Sequence, residues 1–279
     1  MMTILGRIGD IPELTDRLAL KGGTAIQGLS FGFERLSVDI DLNYVGSVEK
    51  EQMFRDREDI RKNLLFLFKD LGYSADRPVS MYAEEQFNLH FRNCGGGADR
   101  LKLEINYLER LPVIGTTRGA IGHPFTYLED VEVLSYPPEE LYVGKLRALL
   151  VRGTPRDLFD ADLIARSIPN INGSLLRKTS LFYLSMQNRD VRTIGTATIE
   201  RITEVDLRNN LMPLLSRTSH VDIDVMKENV LKLTKALLDL SARERRFFDV
   251  LYSDRRVEPD LLFDDEPVSR RLDRHPAVV

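Results

Sequence analysis

The chain has one cysteine in 279 residues, Cys94, so it builds neither an internal disulfide nor a cysteine metal cluster. A reducing cytoplasm fits that usage. Its four histidines, His90, His123, His220 and His275, have no spacing that would gather a zinc ion. No run of roughly 18 apolar residues is present to cross a bilayer, and "MMTILGRIGDIPEL" carries acids where a secretory segment would have its apolar core. The expectation is a soluble, cytoplasmic protein with no membrane partner. Excess charge is also missing: 39 basic residues stand against 43 acidic ones, a net charge of −4 with a pI near 5.7. This excludes a uniformly basic coat but leaves room for a local basic groove. The G-x-x-x-x-G-K-[ST] phosphate loop and the dinucleotide G-x-G-x-x-G fingerprint are both absent, and no internal repeat is visible.

What is present is 43% apolar residues, enough for a sizeable core in one large domain or two ordinary ones. Leu18 to Leu20 is a short apolar run, and "VDIDLNYV" (Val38 to Val45) alternates apolar and polar residues with strand period. Between Gln52 and Leu71 the residues Met53, Ile60, Leu64, Leu67, Phe68 and Leu71 recur at helical spacing, with Arg55, Asp56, Arg57 and Glu58 free to face water. "QFNLHFRN" and "RLKLEINYLER" alternate around "CGGGAD", which predicts an antiparallel hairpin of Phe87–Arg92 with Leu101–Leu108. Pro137 and Pro138 mark a domain edge. Beyond them the pattern turns helical, with the clearest amphipathic stretch at Ile223 to Leu251.

The chemistry gathers in "LALKGGTAIQGLSFGFERLSVDIDLNY". On a strand Asp39 and Asp41 share a face, with Cα atoms roughly 6–7 Å apart. Two such carboxylates can converge on hard cations such as Mg²⁺; a two-metal phosphoryl-transfer site holds its ions about 3.5–4 Å apart. The competing reading is an ordinary solvated strand face. Gly22 and Gly23 free backbone N–H groups to cradle a triphosphate, and Thr24 adds a hydroxyl; the same residues also suit a plain turn or helix cap. In the hairpin, Lys102, Glu104 and Asn106 share one face, so Glu104 can supply a third carboxylate, as general base, metal ligand or both. A surface Lys102–Glu104 pair is the alternative.

These residues resemble the polymerase-beta-like nucleotidyltransferase superfamily, and "KGGTAIQGLSFGFERLSVDIDL" resembles the AbiEii/AbiGii toxin family more closely. Lys21, Gly22, Gly23, Thr24, Arg35, Ser37, Asp39 and Asp41 all fall on that family's motif. A second match, "PPEELYVGKLRALLVRGTPRDLFDADLI", carries Lys145, Arg152, Arg156, Asp157 and Asp160. The match spans Leu18 to Arg166. It departs from the pattern in a slightly longer Thr24–Asp39 spacer and in Gly144, where an acid is expected.

The resemblance implies an α+β fold: a nucleotidyltransferase core with a mixed sheet (1–136) and a helical C-terminal domain that completes the active-site groove (137–263); the acidic, proline-containing end has little to bury, which predicts a mobile tail (264–279). The resemblance also implies catalytic roles for Asp39, Asp41, Glu104, Lys145 and Asp160, with two Mg²⁺ ions on Asp39, Asp41 and Glu104. Nucleotide binding falls to Lys21, Gly22, Gly23, Thr24, Ser37 and Arg152. Lys145 and Arg152, seven residues apart on one helix, present a face for triphosphate; pairing of Lys145 with Asp157 or Asp160, and of Arg156 with Asp160, is the simpler alternative. The implied reaction is pyrophosphate-releasing transfer from an NTP to an RNA acceptor such as the 3′ end of tRNA. The implied partner is a cognate antitoxin or a kinase-type regulator. Transfer to a small molecule or protein, or a non-catalytic nucleotide- or RNA-binding module, are the alternatives.

Three features invite weaker roles. His90, on the hairpin face opposite Phe87, Leu89 and Phe91, has no partner in the sequence. Cys94 has no evident base. "SARERRFFDVLYSDRR" interleaves arginines with aromatics, as RNA contacts do, but Phe247, Phe248, Leu251 and Tyr252 serve equally as core.

Overall fold

A computed structural model describes residues 1–122, 129–187 and 189–276; His123 lies outside them. The chain divides into two compact units, Met1–Pro137 joined by His275, and Pro138–Arg274.

The first unit is built on a mixed sheet. Strands β1 (Leu18–Lys21), β2 (Ile40–Tyr44), β3 (Glu84–Arg92) and β4 (Ala98–Asn106) lie in the order β1-β2-β4-β3, and the two-residue strands Ser74–Ala75 and Val79–Ser80 both pair with β3. β1–β2 and β3–β4 are antiparallel, whereas β2 and β4 run parallel. Helix α1 (Met2–Asp10) precedes this sheet, α2 (Gly22–Ser30) connects β1 to β2, and α3 (Lys50–Asp70) follows β2. A separate two-stranded sheet joins β5 (Thr117–Ile121) to β6 (Val131–Ser135). The Ser135 hydroxyl ties β6 to β1 by donating to the Leu20 carbonyl at 2.7 Å.

Period-two alternation sorts the sheet's faces. Ile40, Leu42, Phe87, Leu89, Leu103 and Ile105 are buried, and Met53, Ile60, Leu64 and Phe68 of α3 are buried with them. Phe68 and Phe87 meet edge to face at 5.6 Å. Each such side chain contributes about 1.5–3 kcal/mol. The opposite face keeps the polar residues Asp41, Lys102, Glu104 and Asn106 half-exposed.

Two charged residues expected on the wet side of α3 are instead buried. Asp56 accepts the Tyr44 hydroxyl at 2.5 Å and lies 3.2 Å from Arg17. Arg57 donates to Ser80 Oγ and the Glu84 carbonyl at 2.7 and 2.9 Å and sits over the Tyr107 ring. Each has an opposite charge from elsewhere in the chain, Arg17 for Asp56 and Glu85, at 3.6 Å, for Arg57, which helical periodicity cannot reveal.

Among the described residues the second unit is helical: α4 (Val143–Val151), α5 (Pro155–Ser167), α6 (Gly173–Ser185), α7 (Ile223–Leu238), α8 (Ala242–Asp249) and α9 (Glu266–Leu272) are its main elements. The single amphipathic stretch expected from Ile223 to Leu251 is broken. Ser241 and Glu244 form a reciprocal capping box that starts a new helix. Phe247 and Phe248 are fully buried, as core packing requires. The segment expected as a mobile tail carries α9, with Leu272 and His275 fully buried. Its acidic composition masked these two anchors.

Candidate active site

β1 leads directly into the Gly22–Gly23 turn, where Gly22 has φ +72°, a left-handed conformation that favours glycine. A Cβ at Gly22 would fall 2.1 Å from Asp41 Oδ2, and one at Gly23 would fall 2.7 Å from Arg35 Nη2 and 2.8 Å from Ser37 Oγ. The glycines therefore allow the turn to press against the acid strand. Thr24, expected to face phosphate, is fully buried, and its hydroxyl donates to the Asp39 carbonyl at 2.6 Å. Its observed action is to anchor Asp39. That bond, with the Arg35 N–H donating to Gln27 Oε1 at 3.2 Å, holds the segment before β2, so the strand begins at Ile40 and Asp39 lies at its mouth.

The sheet register aligns the remaining charges. Lys21 on β1 stands opposite Asp41 on β2, which stands opposite Glu104 on β4, which stands opposite Gln86 on β3. Lys21 Nζ also lies 3.9 Å from Glu109 Oε2. Lys102, two residues before Glu104, donates to Glu104 Oε2 at 2.8 Å, so the expected Lys102–Glu104 pair exists inside the row of acids. Burial pushes the Asp41 carboxyl above the ordinary range; Glu104 and Asp39 add to the rise, while Lys21 and Lys102 oppose it. Burial lowers the Lys102 ammonium, but the hydrogen bond and charge of Glu104, with the charges of Asp39 and Asp41, more than offset it and raise it overall.

In the helical unit the second motif forms a buried ion cluster. Lys145 Nζ lies 3.3 Å from Asp157 Oδ1 and 3.0 Å from Asp160 Oδ2, and both aspartates are fully buried. Arg152 grips Asp157 with Nε at 2.8 Å and Nη2 at 3.0 Å, and the Thr154 hydroxyl donates to the same carboxylate at 2.7 Å. Burial would raise Asp157, yet the Arg152 hydrogen bonds, with Lys145 and Thr154, hold it far below the ordinary range. Arg152, expected at the nucleotide, thus spends its fork on Asp157. Arg156 is exposed and makes no pair with Asp160 among the described residues.

With this geometry in view, comparison with known proteins decides the family. The family model described as the nucleotidyl transferase AbiEii toxin of type IV toxin–antitoxin systems matches residues 3–258. The chain belongs to the AbiEii family. It is a nucleotidyltransferase toxin of a type IV toxin–antitoxin system, which brings with it an NTP substrate and a cognate antitoxin. Among solved structures it is similar to MenT4, a nucleotidyltransferase toxin from Mycobacterium tuberculosis H37Rv, at 18% identity and a TM-score of 0.66, over 99% of this chain and 90% of that one. That likeness shows the shared fold. No curated protein matches.

For an AbiEii enzyme the question is whether the acids suit a divalent cation. Among the described residues no three His, Cys, Asp or Glu side chains are gathered to hold a metal ion. The donor chemistry nevertheless fits Mg²⁺: every candidate is a hard carboxylate oxygen, and Asp41 carries mutual repulsion from Glu104 and Asp39 that a cation would relieve. Lys102 supplies part of that counter-charge. Strand spacing offered Lys102 only as half of a surface pair with Glu104; the structure puts that pair beside Asp41. No helix of the described structure is long and apolar enough to cross a membrane.

Proposed function

We propose that this AbiEii toxin transfers a nucleotide from an NTP to the 3′ end of an RNA, with tRNA as the acceptor class, in the cytoplasm. The observation that carries the reading is the lateral row Lys21–Asp41–Glu104 beside a turn in which Gly22, at φ +72°, presses against Asp41. In the reaction the RNA 3′-hydroxyl oxygen attacks the α-phosphorus, the bond to the β-phosphate bridging oxygen breaks, and pyrophosphate leaves. Glu104 accepts the hydroxyl proton, and Lys102 at 2.8 Å holds that carboxylate in place. Gly22 and Gly23 offer backbone N–H groups to the triphosphate, flanked by Ser37 and Lys21. Thr24 acts one step removed, by fixing Asp39.

Asp39 and Asp41, with Glu104, are the residues that would hold two Mg²⁺ ions, whose chemistry is to neutralise the attacking and leaving oxygens. Within the helical unit Lys145, held between Asp157 and Asp160, is assigned as a phosphate-directed cation on the family motif alone.

The test is incubation with Mg²⁺, each labelled NTP in turn and total tRNA, alongside Asp41→Asn. Label in tRNA from the intact enzyme alone supports the reading. Pyrophosphate release with a different acceptor discards RNA, and equal labelling by Asp41→Asn discards the site.

A further inference from the structure

The helical unit holds a cleft of about 640 Å³ that none of these assignments uses. The turn at Gly153 lines it, with φ +63° and a Cβ position 2.5 Å from the Thr198 carbonyl oxygen. This close approach brings the start of α5 against the segment around Arg201. Arg156 and Arg201 line the cleft with Asn209, Asn210, Pro213 and Leu214; Asn210 Nδ2 donates to the Asp206 carbonyl at 3.1 Å, and Ile202 is buried. Both arginines and both asparagines are exposed.

The charge balance of the cleft is basic. Its one acid, Asp206, is committed to the neighbouring helix start, accepting the Thr203 N–H at 2.9 Å and the Thr203 hydroxyl at 2.7 Å. Arg201 spends Nη2 on the Arg152 carbonyl at 2.9 Å, which leaves further donors on the same fork. Arg156 makes no hydrogen bond or ion pair among the described residues.

We propose that this cleft is a nucleotide subsite that holds one nucleotide of the RNA acceptor strand; the proposal rests on the RNA-acceptor reading above. A planar guanidinium fork matches phosphate oxygens. An asparagine amide such as that of Asn209 matches the donor–acceptor edge of a base, and the apolar surface of Pro213 and Leu214 suits the base's flat face. The volume lies in the range of a small-ligand site. An acidic peptide would use the arginines but leave the amides and the apolar surface without a purpose, so RNA is the better occupant.

The experiment is fluorescence anisotropy of a labelled single-stranded RNA oligonucleotide on the full chain, without NTP, between about 50 and 200 mM salt. Arg156→Ala, which breaks no hydrogen bond or ion pair among the described residues, should weaken binding several-fold. Arg156→Ala/Arg201→Ala should weaken it further and flatten the log–log salt slope by about 0.7 for each phosphate that is no longer held. Asn209→Ala/Asn210→Ala should weaken binding with the slope unchanged, and KM for the NTP should stay the same in every variant. Unchanged RNA affinity in Arg156→Ala and in the double arginine variant overturns the proposal. It is equally overturned if these variants release a fluorescent nucleoside triphosphate, or a labelled oligoglutamate peptide, while RNA binding stays intact. If RNA binds through the cleft but is never labelled, the subsite stands and the transfer reading falls; if RNA is labelled and both variants bind normally, the reverse holds.

Discussion

Asp41 and Glu104 face each other directly across two parallel strands, although they lie far apart along the chain, and Lys102 bonds the second of the pair. The register of one strand pair therefore sets the spacing of the charges on which the proposed transfer rests.

Burial of Asp41, with the nearby charges of Glu104 and Asp39 adding to it, has a stability cost. With its folded pKa raised, the stability tied to Asp41 is fully present below its unfolded pKa and is lost as pH rises through the folded value. Asp41→Asn should abolish transfer yet raise the melting temperature in divalent-free buffer near neutral pH, by about 2–4 °C for each 1 kcal/mol relieved. The gain should disappear at acid pH. A lower melting temperature in scanning fluorimetry would show that Asp41 supports the fold instead.

Gly22→Ala would place a methyl group 2.1 Å from Asp41 Oδ2 at a backbone φ of +72°. The strain should cost about 1–3 kcal/mol. Because Asp41 must shift, transfer should fall by roughly 100-fold or more. Chemical denaturation and a labelled-NTP assay read the two effects, and wild-type activity in this variant would remove the turn from the site.

Asp157 joins Lys145, Arg152 and Thr154. Removing it leaves Lys145 with one counter-ion in a buried setting, and Asp157→Ala should cost about 3–5 kcal/mol in urea unfolding. Because its folded pKa is depressed, the stability it adds is present above its unfolded pKa and is lost as pH falls through the folded one. Wild-type and variant curves should therefore converge in strong acid.

His275 is fully buried, and burial lowers its pKa to about 4. Its folded pKa is depressed, so stability is present above the unfolded value near 6.5 and drains away as pH falls toward 4, at up to about 1.4 kcal/mol per pH unit. Urea midpoints of wild type and His275→Leu at pH 7 and pH 4.5 measure this, and parallel losses in both proteins would count against it.

Much of the site could be read without coordinates. The K-G-G-T and D-I-D-L wording carried the family, and strand alternation placed Glu104 on the polar face, because a two-residue period sorts side chains from local order alone. Local order could not show that Thr24 turns inward to Asp39, or that Arg152 grips Asp157. Each of these depends on which polar group lies nearest once the chain has folded, and hydroxyls and guanidiniums serve either use.

By itself, then, the sequence determined the family, the glycine turn, the two aspartates and the change from sheet to helix near Pro137 and Pro138, all of which rest on residue type and spacing. Only the tertiary structure decided that β2 and β4 run parallel with Asp41 beside Glu104, that Asp56 and Arg57 are buried, and that Leu272 and His275 anchor the end of the chain. Those outcomes come from pairing between segments distant in sequence, where burial and charge are settled by neighbours that no local pattern names.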